Sequence, residues 1–339
     1  MLVNIHDAFS MASKLTPKKI ANAYHIWSSF NKSQKSGTAQ IKGFPTSIAI
    51  EPTTACNLRC PECPSGLRSF TRPTGKLDSG FYQKIIEELR DHLTYLTFYF
   101  QGEPYLHPEF LEMVKYASNN KIYTTTSTNA HFLNDEQAKK TIESGLDRLI
   151  ISVDGSTQET YESYRKEGQL EKVLEGTKNV VKWKRKLRSN IKIVWQFLVV
   201  RPNEHQVPEI KKMGKKIGVD KVAFKTAQIY DYENGNELIP TIDKYSRYQK
   251  LEDGTYKIKN DWENKCWKMW HSCVITWDGQ VIPCCFDKDA KHSFGNLNSQ
   301  SFKEIWTSNP YQRFRNTLLK SRSDIEICKN CTEGLKVWA

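Results

Sequence analysis

The stretch Ser47-Ile48-Ala49-Ile50-Glu51-Pro52-Thr53-Thr54-Ala55-Cys56-Asn57-Leu58-Arg59-Cys60-Pro61-Glu62-Cys63 decides how this chain is read. A short apolar run, Ser47–Ile50, stops at Glu51-Pro52 and passes into a loop with three cysteines spaced C-x3-C-x2-C. Parallel α/β architectures gather their chemistry on such loops, at the C-terminal ends of strands. Three thiolates on one loop can hold three irons of a 4Fe–4S cube and leave the fourth iron without a protein ligand. An open iron can bind and act on a ligand, whereas a cube with four thiolates only carries electrons. Zinc is the competing occupant, but structural zinc takes four protein ligands and no nearby His or Cys supplies the fourth.

Working outward, the strand-like run recurs at Tyr95–Phe100, Ile122–Ser127, Arg148–Val153, Ile191–Val200 and Lys221–Phe224. Helical periodicity fills the intervals at Gly80–Leu93, Pro108–Asn119, Asn134–Ser144, Leu170–Leu187 and Glu204–Ile217. Six strands alternating with five helices predict right-handed parallel βαβ units. Six units are too few to close an eight-stranded barrel, so the expected fold is α/β, a partial (β/α)6 barrel of parallel strands. It should occupy residues 46–225. A basic N-terminal extension over 1–45, with one amphipathic helix from Pro17 to Phe30, precedes it. Residues 226–260 lose the rhythm and read as a linker or lid. Residues 261–339 read as a small C-terminal domain. There Val274–Trp277, Asp278-Gly279 and Gln280–Pro283 spell a β-hairpin with a type I′ turn, followed by helices over Ser301–Asn309 and Tyr311–Lys320.

The chain has 339 residues and a net charge of +12, which favours an anionic partner without choosing one. The basic run Lys182, Lys184, Arg185, Lys186, Arg188 and Lys192 reads as a solvated helix face. No stretch approaches the roughly 18 apolar residues that span a bilayer, and no signal peptide is read at the N-terminus. A cytoplasmic chain without stable membrane insertion is expected. There are nine cysteines, none between Cys63 and Cys266. A disulfide framework in a reducing cytosol is not expected, so the two groups read as metal sites.

The other strands also end in polar residues. The second ends in Phe100-Gln101-Gly102-Glu103-Pro104, where glycine admits a close ligand and the carboxylate can accept from an ammonium group. The third ends in Ser127-Thr128-Asn129. The fourth ends in Ser152-Val153-Asp154, with Ser152 and Asp154 on one side and Tyr164-Arg165 following. The fifth singles out no residue.

The C-x3-C-x2-C loop after strand one resembles that of the radical S-adenosylmethionine (SAM) superfamily, with Glu62 where members often carry an aromatic residue. The resemblance implies that Cys56, Cys60 and Cys63 hold a SAM-binding 4Fe–4S cluster. It further implies that Gly102 and Glu103 meet the SAM amino group, with Gln101 replacing the first glycine of a Gly-Gly-Glu motif. Ser127 and Asn129 would lie beside the methionine moiety, Ser152 and Asp154 would serve ribose hydroxyls, and Arg165 would reach the SAM carboxylate. Residues 266–331 resemble the SPASM/twitch module through Cys266, Asp278–Cys285, Gly295-Asn296-Leu297, Lys303–Trp306 and Cys328-Lys329-Asn330-Cys331. Six cysteines remain after the front triad and two four-thiolate clusters need eight, so one auxiliary 4Fe–4S cluster is expected. Its ligands are assigned as Cys266, Cys284, Cys328 and Cys331. Cys273 is the rival to Cys266, Cys285 is assigned to packing, and zinc remains an alternative at the four positions.

The implied function is a radical SAM oxidoreductase. It would cleave SAM reductively to a 5′-deoxyadenosyl radical, abstract a substrate hydrogen, and oxidise a small sugar-, cyclitol- or nucleotide-like molecule. A peptide-modifying maturase is the alternative. A non-catalytic zinc protein that meets nucleic acid is the rival of another class, though no nucleic-acid module is visible. A reductant such as flavodoxin or ferredoxin is the expected electron donor.

Overall fold

The computed structural model describes residues 5–260 and 263–335. Its strands are β1 (Ser47–Ile50), β2 (Tyr95–Thr97), β3 (Tyr123–Thr128), β4 (Arg148–Ser152), β5 (Lys192–Val199), β6 (Lys221–Thr226), β7 (Tyr248–Lys250), β8 (Tyr256–Ile258), β9 (Ser272–Ile275) and β10 (Val281–Ile282). β1 through β6 pair in parallel and in chain order, with a helical crossover in every interval. That succession is the partial (β/α)6 barrel expected from the alternating runs. Its strands are largely buried on both faces, so they read as near-continuous apolar or β-branched segments.

The hairpin forms, and it also does something that its own sequence does not announce. β9 pairs in parallel with β1, Ser47 opposite Ser272 through Ile50 opposite Ile275, and β10 closes the edge antiparallel to β9. The C-terminal region therefore continues the barrel sheet on the open side of β1. The turn differs from the expectation. Gly279 has φ +87° while Asp278 is not left-handed, and Gly279 N donates to Thr276 O before Thr276 N meets Gln280 O. A type I′ turn needs two left-handed residues; a single one at the end of a longer loop matches the bulged alternative.

Two helices precede β1: α1 (Ile5–Ser13) and α2 (Pro17–Ser36). Thr16 caps α2 by accepting from Lys19 N, and Gly37 ends it in a left-handed conformation. The expected helix is thus longer than its sequence signal. Both helices lie across the N-terminal ends of the strands. Lys19 Nζ reaches Lys121 O and Lys14 Nζ reaches Ile122 O before β3, while Asn22 Nδ2 donates to Phe44 O before β1 and His92 O before β2. On its inner side Phe30 packs edge-on to Trp267 and Trp270, 5.1 and 5.3 Å between ring centroids. α2 joins the main core through Ile26 and Phe30, while α1 is held by polar contacts such as Ser10 Oγ to Asp147 Oδ1 at 2.7 Å; together they close the end of the barrel opposite the cysteine loop.

Residues 226–260 carry the small β7–β8 sheet. Leu238, Ile239, Tyr248 and Ile258 bury against Leu58 and Cys60, forming a second apolar cluster over the cysteine loop. The basic helix Leu170–Lys186 is a solvated face, with Lys182 paired to Asp135 and Lys184 to Asp220.

Candidate functional site

The C-terminal ends of β1 to β4 converge on one cavity of about 110 Å³. Cys56, Cys60 and Cys63 line it together with Gly102, Glu103, Ser127, Asn129, Ser152 and Arg165. Residues up to 109 positions apart in the chain are brought to one wall because each follows a parallel strand in the same direction.

Backbone contacts set the cysteine loop. Leu77 N donates to Pro52 O and Glu103 N to Ala55 O, both at 2.8 Å. Gly102 is where the loops after β1 and β2 touch: its φ is +76°, and a Cβ there would stand 2.2 Å from Thr53 O. Only glycine fits both demands. Gly66 plays a similar part, since its Cβ would stand 2.5 Å from Cys60 N. Ser65 Oγ accepts from Gly102 N at 2.8 Å. Ser65, Gly66, Tyr99 and Phe100 also line the cavity and were not singled out from the sequence. The proline–small-residue turn after Cys63 was the available signal for the first two.

Glu103 is buried at 2% exposure. One oxygen accepts from Thr128 Oγ1 at 2.7 Å and the other from Asn129 N at 2.8 Å. Burial outweighs those bonds and pushes its carboxyl up to about 7. Burial likewise pushes the Cys56 thiol up to about 12 and raises that of Cys60. Buried thiols become good anionic ligands only when a cation reaches them. An iron cluster would supply that for the triad, and an ammonium group would supply it for Glu103. The donor set therefore fits an open-iron 4Fe–4S cluster with SAM beside it.

Asp154 departs from the expected role. It does not line the cavity, because Oδ2 accepts from Arg165 Nε at 2.5 Å and Oδ1 from Leu198 N at 2.6 Å. With both oxygens engaged it orients Arg165 and is not left open for ribose. Arg165 in turn directs Nη1 to Cys60 Sγ at 3.7 Å.

A second cavity, in the C-terminal region, is lined by Cys266, Cys284, Cys285, Cys328 and Cys331. Cys273 is elsewhere. It sits in β9 opposite Ile48, 2% exposed, and is no part of this wall. The geometry thus favours Cys266 over its rival. Cys285 corrects the packing assignment: it is exposed and on the cavity wall with Cys284. The alternation that would have turned it away requires a continuing strand, and β10 ends at Ile282. Arg322 is fully buried, with Nη2 3.3 Å from Cys331 Sγ and 2.8 Å from Glu333 O. A buried guanidinium needs anions, and thiolates carrying a cluster would provide them. Gly334 touches the same site, since a Cβ on it would stand 2.4 Å from Cys266 Sγ. Five thiols in one cavity accommodate one four-ligand cluster.

Residues 50–214 match the family model described as radical SAM superfamily, and residues 266–332 match the SPASM iron–sulfur cluster-binding domain. The tungsten-containing aldehyde ferredoxin oxidoreductase cofactor-modifying protein of Pyrococcus furiosus is 26% identical, covering 86% of this chain and 91% of that protein. A PqqA peptide cyclase of Bradyrhizobium diazoefficiens is also 26% identical, covering 87% and 80%. In fold, BtrN crystallised with AdoMet and 2-DOIA superposes with a TM-score of 0.54 at 18% identity, covering 88% of this chain and 97% of that one.

Proposed function

The chain belongs to the radical SAM superfamily and carries a SPASM domain, and on that premise we propose that it is an oxidoreductase acting on a small polar molecule. The observation that carries this reading is the shared cavity of Cys56, Cys60, Cys63, Glu103, Ser152 and Arg165, with a separate five-thiol cavity beyond it. Held by Cys56, Cys60 and Cys63, a front cluster with SAM would supply the chemistry of hydrogen abstraction, and a cluster held in the rear cavity would supply an electron acceptor.

The chain's own residues position and exclude. Glu103 would take the SAM ammonium, and Ser127 and Asn129 would flank the methionine moiety. Ser152 would meet the ribose. Arg165, held by Asp154, would meet the carboxylate. Cys266, Cys284, Cys328 and Cys331 would hold the auxiliary cluster, with Arg322 balancing its charge and Cys285 at its exposed edge. Residues 226–260 pack against Leu58 and Cys60 of the cysteine loop, and the polar side chains lining the small front cavity favour a sugar-, cyclitol- or nucleotide-like substrate. A reductant such as flavodoxin or ferredoxin would deliver the electron in the cytoplasm.

Peptide modification is the second reading, favoured by the similarity to a PqqA peptide cyclase. Substrate-dependent 5′-deoxyadenosine formation separates the two. C–H-deuterated polyols, cyclitols and nucleosides are expected to pass deuterium into 5′-deoxyadenosine. Transfer from peptides alone would overturn the small-molecule reading.

A further inference from the structure

Ten large apolar side chains are exposed among the described residues, and five of them fall between Phe9 and Trp27: Phe9, Leu15, Ile20, Tyr24 and Trp27. Three of them, Ile20, Tyr24 and Trp27, share one face of α2 and so form a patch, whereas scattered single exposures need no explanation. On α2 the outer members stand at i, i+4 and i+7. Ile20 is 56% exposed, Tyr24 61% and Trp27 43%, with the two rings 6.0 Å apart. The opposite side of α2 already buries Ile26 and Phe30 in the core. The helix is therefore apolar on two sides, and folding accounts for one of them.

The lysines divide in the same way. Three of the six in residues 1–45 serve the fold: Lys14 pairs with Asp147, Lys18 with Asp91, and Lys19 donates to Lys121 O. The other three, Lys32, Lys35 and Lys42, are exposed and have no ion-pair partner among the described residues. Lys32 and Lys35 lie in the last turns of α2, and Lys42 lies where the following segment runs back along the helix, next to Gly43, which packs against Asn22 and His25. Exposed Tyr, Trp and Ile beside lysines is the composition of a helix that lies in a headgroup layer. Protein–protein interfaces are depleted in lysine. A reductant is poorly served by this face, because α2 covers the strand ends opposite the cysteine loop. No helix among the described residues is long and apolar enough to cross a membrane.

We propose that this face seats the protein on an anionic lipid bilayer, with α2 along the headgroups and the cysteine-bearing mouth turned toward water. Each lysine near an anionic surface strengthens partitioning by about fivefold, and the apolar stripe adds attraction that salt does not screen. The proposal is independent of the substrate reading.

The test is co-sedimentation of the full-length iron-loaded protein with vesicles of phosphatidylcholine alone or of equimolar phosphatidylcholine and phosphatidylglycerol. Pelleting is expected with the anionic vesicles alone, and weakening as salt rises. Ile20→Ser/Tyr24→Ser/Trp27→Ser and Lys32→Glu/Lys35→Glu/Lys42→Glu should each lower the partition coefficient at least about tenfold, with 5′-deoxyadenosine formation unchanged. Absence of pelleting with anionic vesicles, or equal pelleting of the parent and both variants, overturns the proposal. So does a dimer in light scattering that the serine variant alone dissolves, because a second copy would then cover the face.

Discussion

Arg72 lays its guanidinium against the carboxylate of Glu51, Nη1 to Oε2 at 2.9 Å and Nη2 to Oε1 at 2.6 Å, with both side chains buried. Glu51 directly follows β1, and Trp277 N also donates to it at 3.2 Å. Arg72 Nε donates to Lys288 O at 2.9 Å. The pair thereby fastens the cysteine-bearing end of β1 to the C-terminal hairpin.

Removing one partner of such a pair leaves the other charge buried. Arg72→Ala should cost about 3–5 kcal/mol of folding stability, read as a shift in the urea midpoint. Burial already raises the Glu51 carboxyl despite Arg72. A carboxyl raised above its unfolded value favours the folded state as pH falls through that window and opposes it as pH rises. The variant's deficit should therefore shrink toward acidic pH. A deficit that stays constant with pH would show that Glu51 is not the group left exposed to the loss.

Glu103 gives a pH dependence at the SAM site. With its carboxyl near 7 in the SAM-free protein, it is largely neutral below that pH and has no charge to offer an ammonium. SAM affinity should fall as pH drops from about 8 to about 6, by at most about tenfold per unit. The SAM-free protein should conversely lose stability as pH rises through about 7, and added SAM should restore it. Glu103→Gln should bind weakly and without this slope, in equilibrium binding across a pH series. An unchanged slope would exclude Glu103 as the ammonium's partner.

The front triad is separable from the rear cavity. Replacing Cys56, Cys60 and Cys63 together with Ala should lower iron by about four per chain and abolish SAM cleavage, with the auxiliary cluster retained. Continued 5′-deoxyadenosine formation in that variant would refute the assignment.

At the rear cavity, Cys328→Ala or Cys331→Ala should lose auxiliary iron and substrate oxidation while keeping some SAM cleavage. The module's small core should loosen as well. Cys266→Ala should behave the same way. Cys273→Ala should keep its iron, since that thiol sits in β9 away from the cavity; loss of auxiliary iron from it alone would make Cys273 the ligand. Cys285→Ala should be milder than either closing cysteine.

Local signals carried much of this fold. The β-branched runs that became β1 to β6 and the triad spacing at Cys56, Cys60 and Cys63 were readable because each is written within a few residues. What escaped depends on distant partners. Nothing near Ser272–Ile275 says that it will pair with Ser47–Ile50, and nothing near Asp154 says that Arg165 and Leu198 will occupy its oxygens. Cys285 reaches the rear cavity because β10 already ends at Ile282, so strand alternation does not govern where its side chain points. The N-terminal segment looked like an appendage because the partners of Phe30, Trp267 and Trp270, lie more than two hundred positions away.

The central claim is tested most directly by anaerobic assay of the reconstituted protein with dithionite and SAM, alongside its iron, sulfide and zinc content. The account predicts about eight irons per chain, a broad absorption band in the blue, and formation of 5′-deoxyadenosine and methionine. A colourless protein with stoichiometric zinc and no 5′-deoxyadenosine would contradict it.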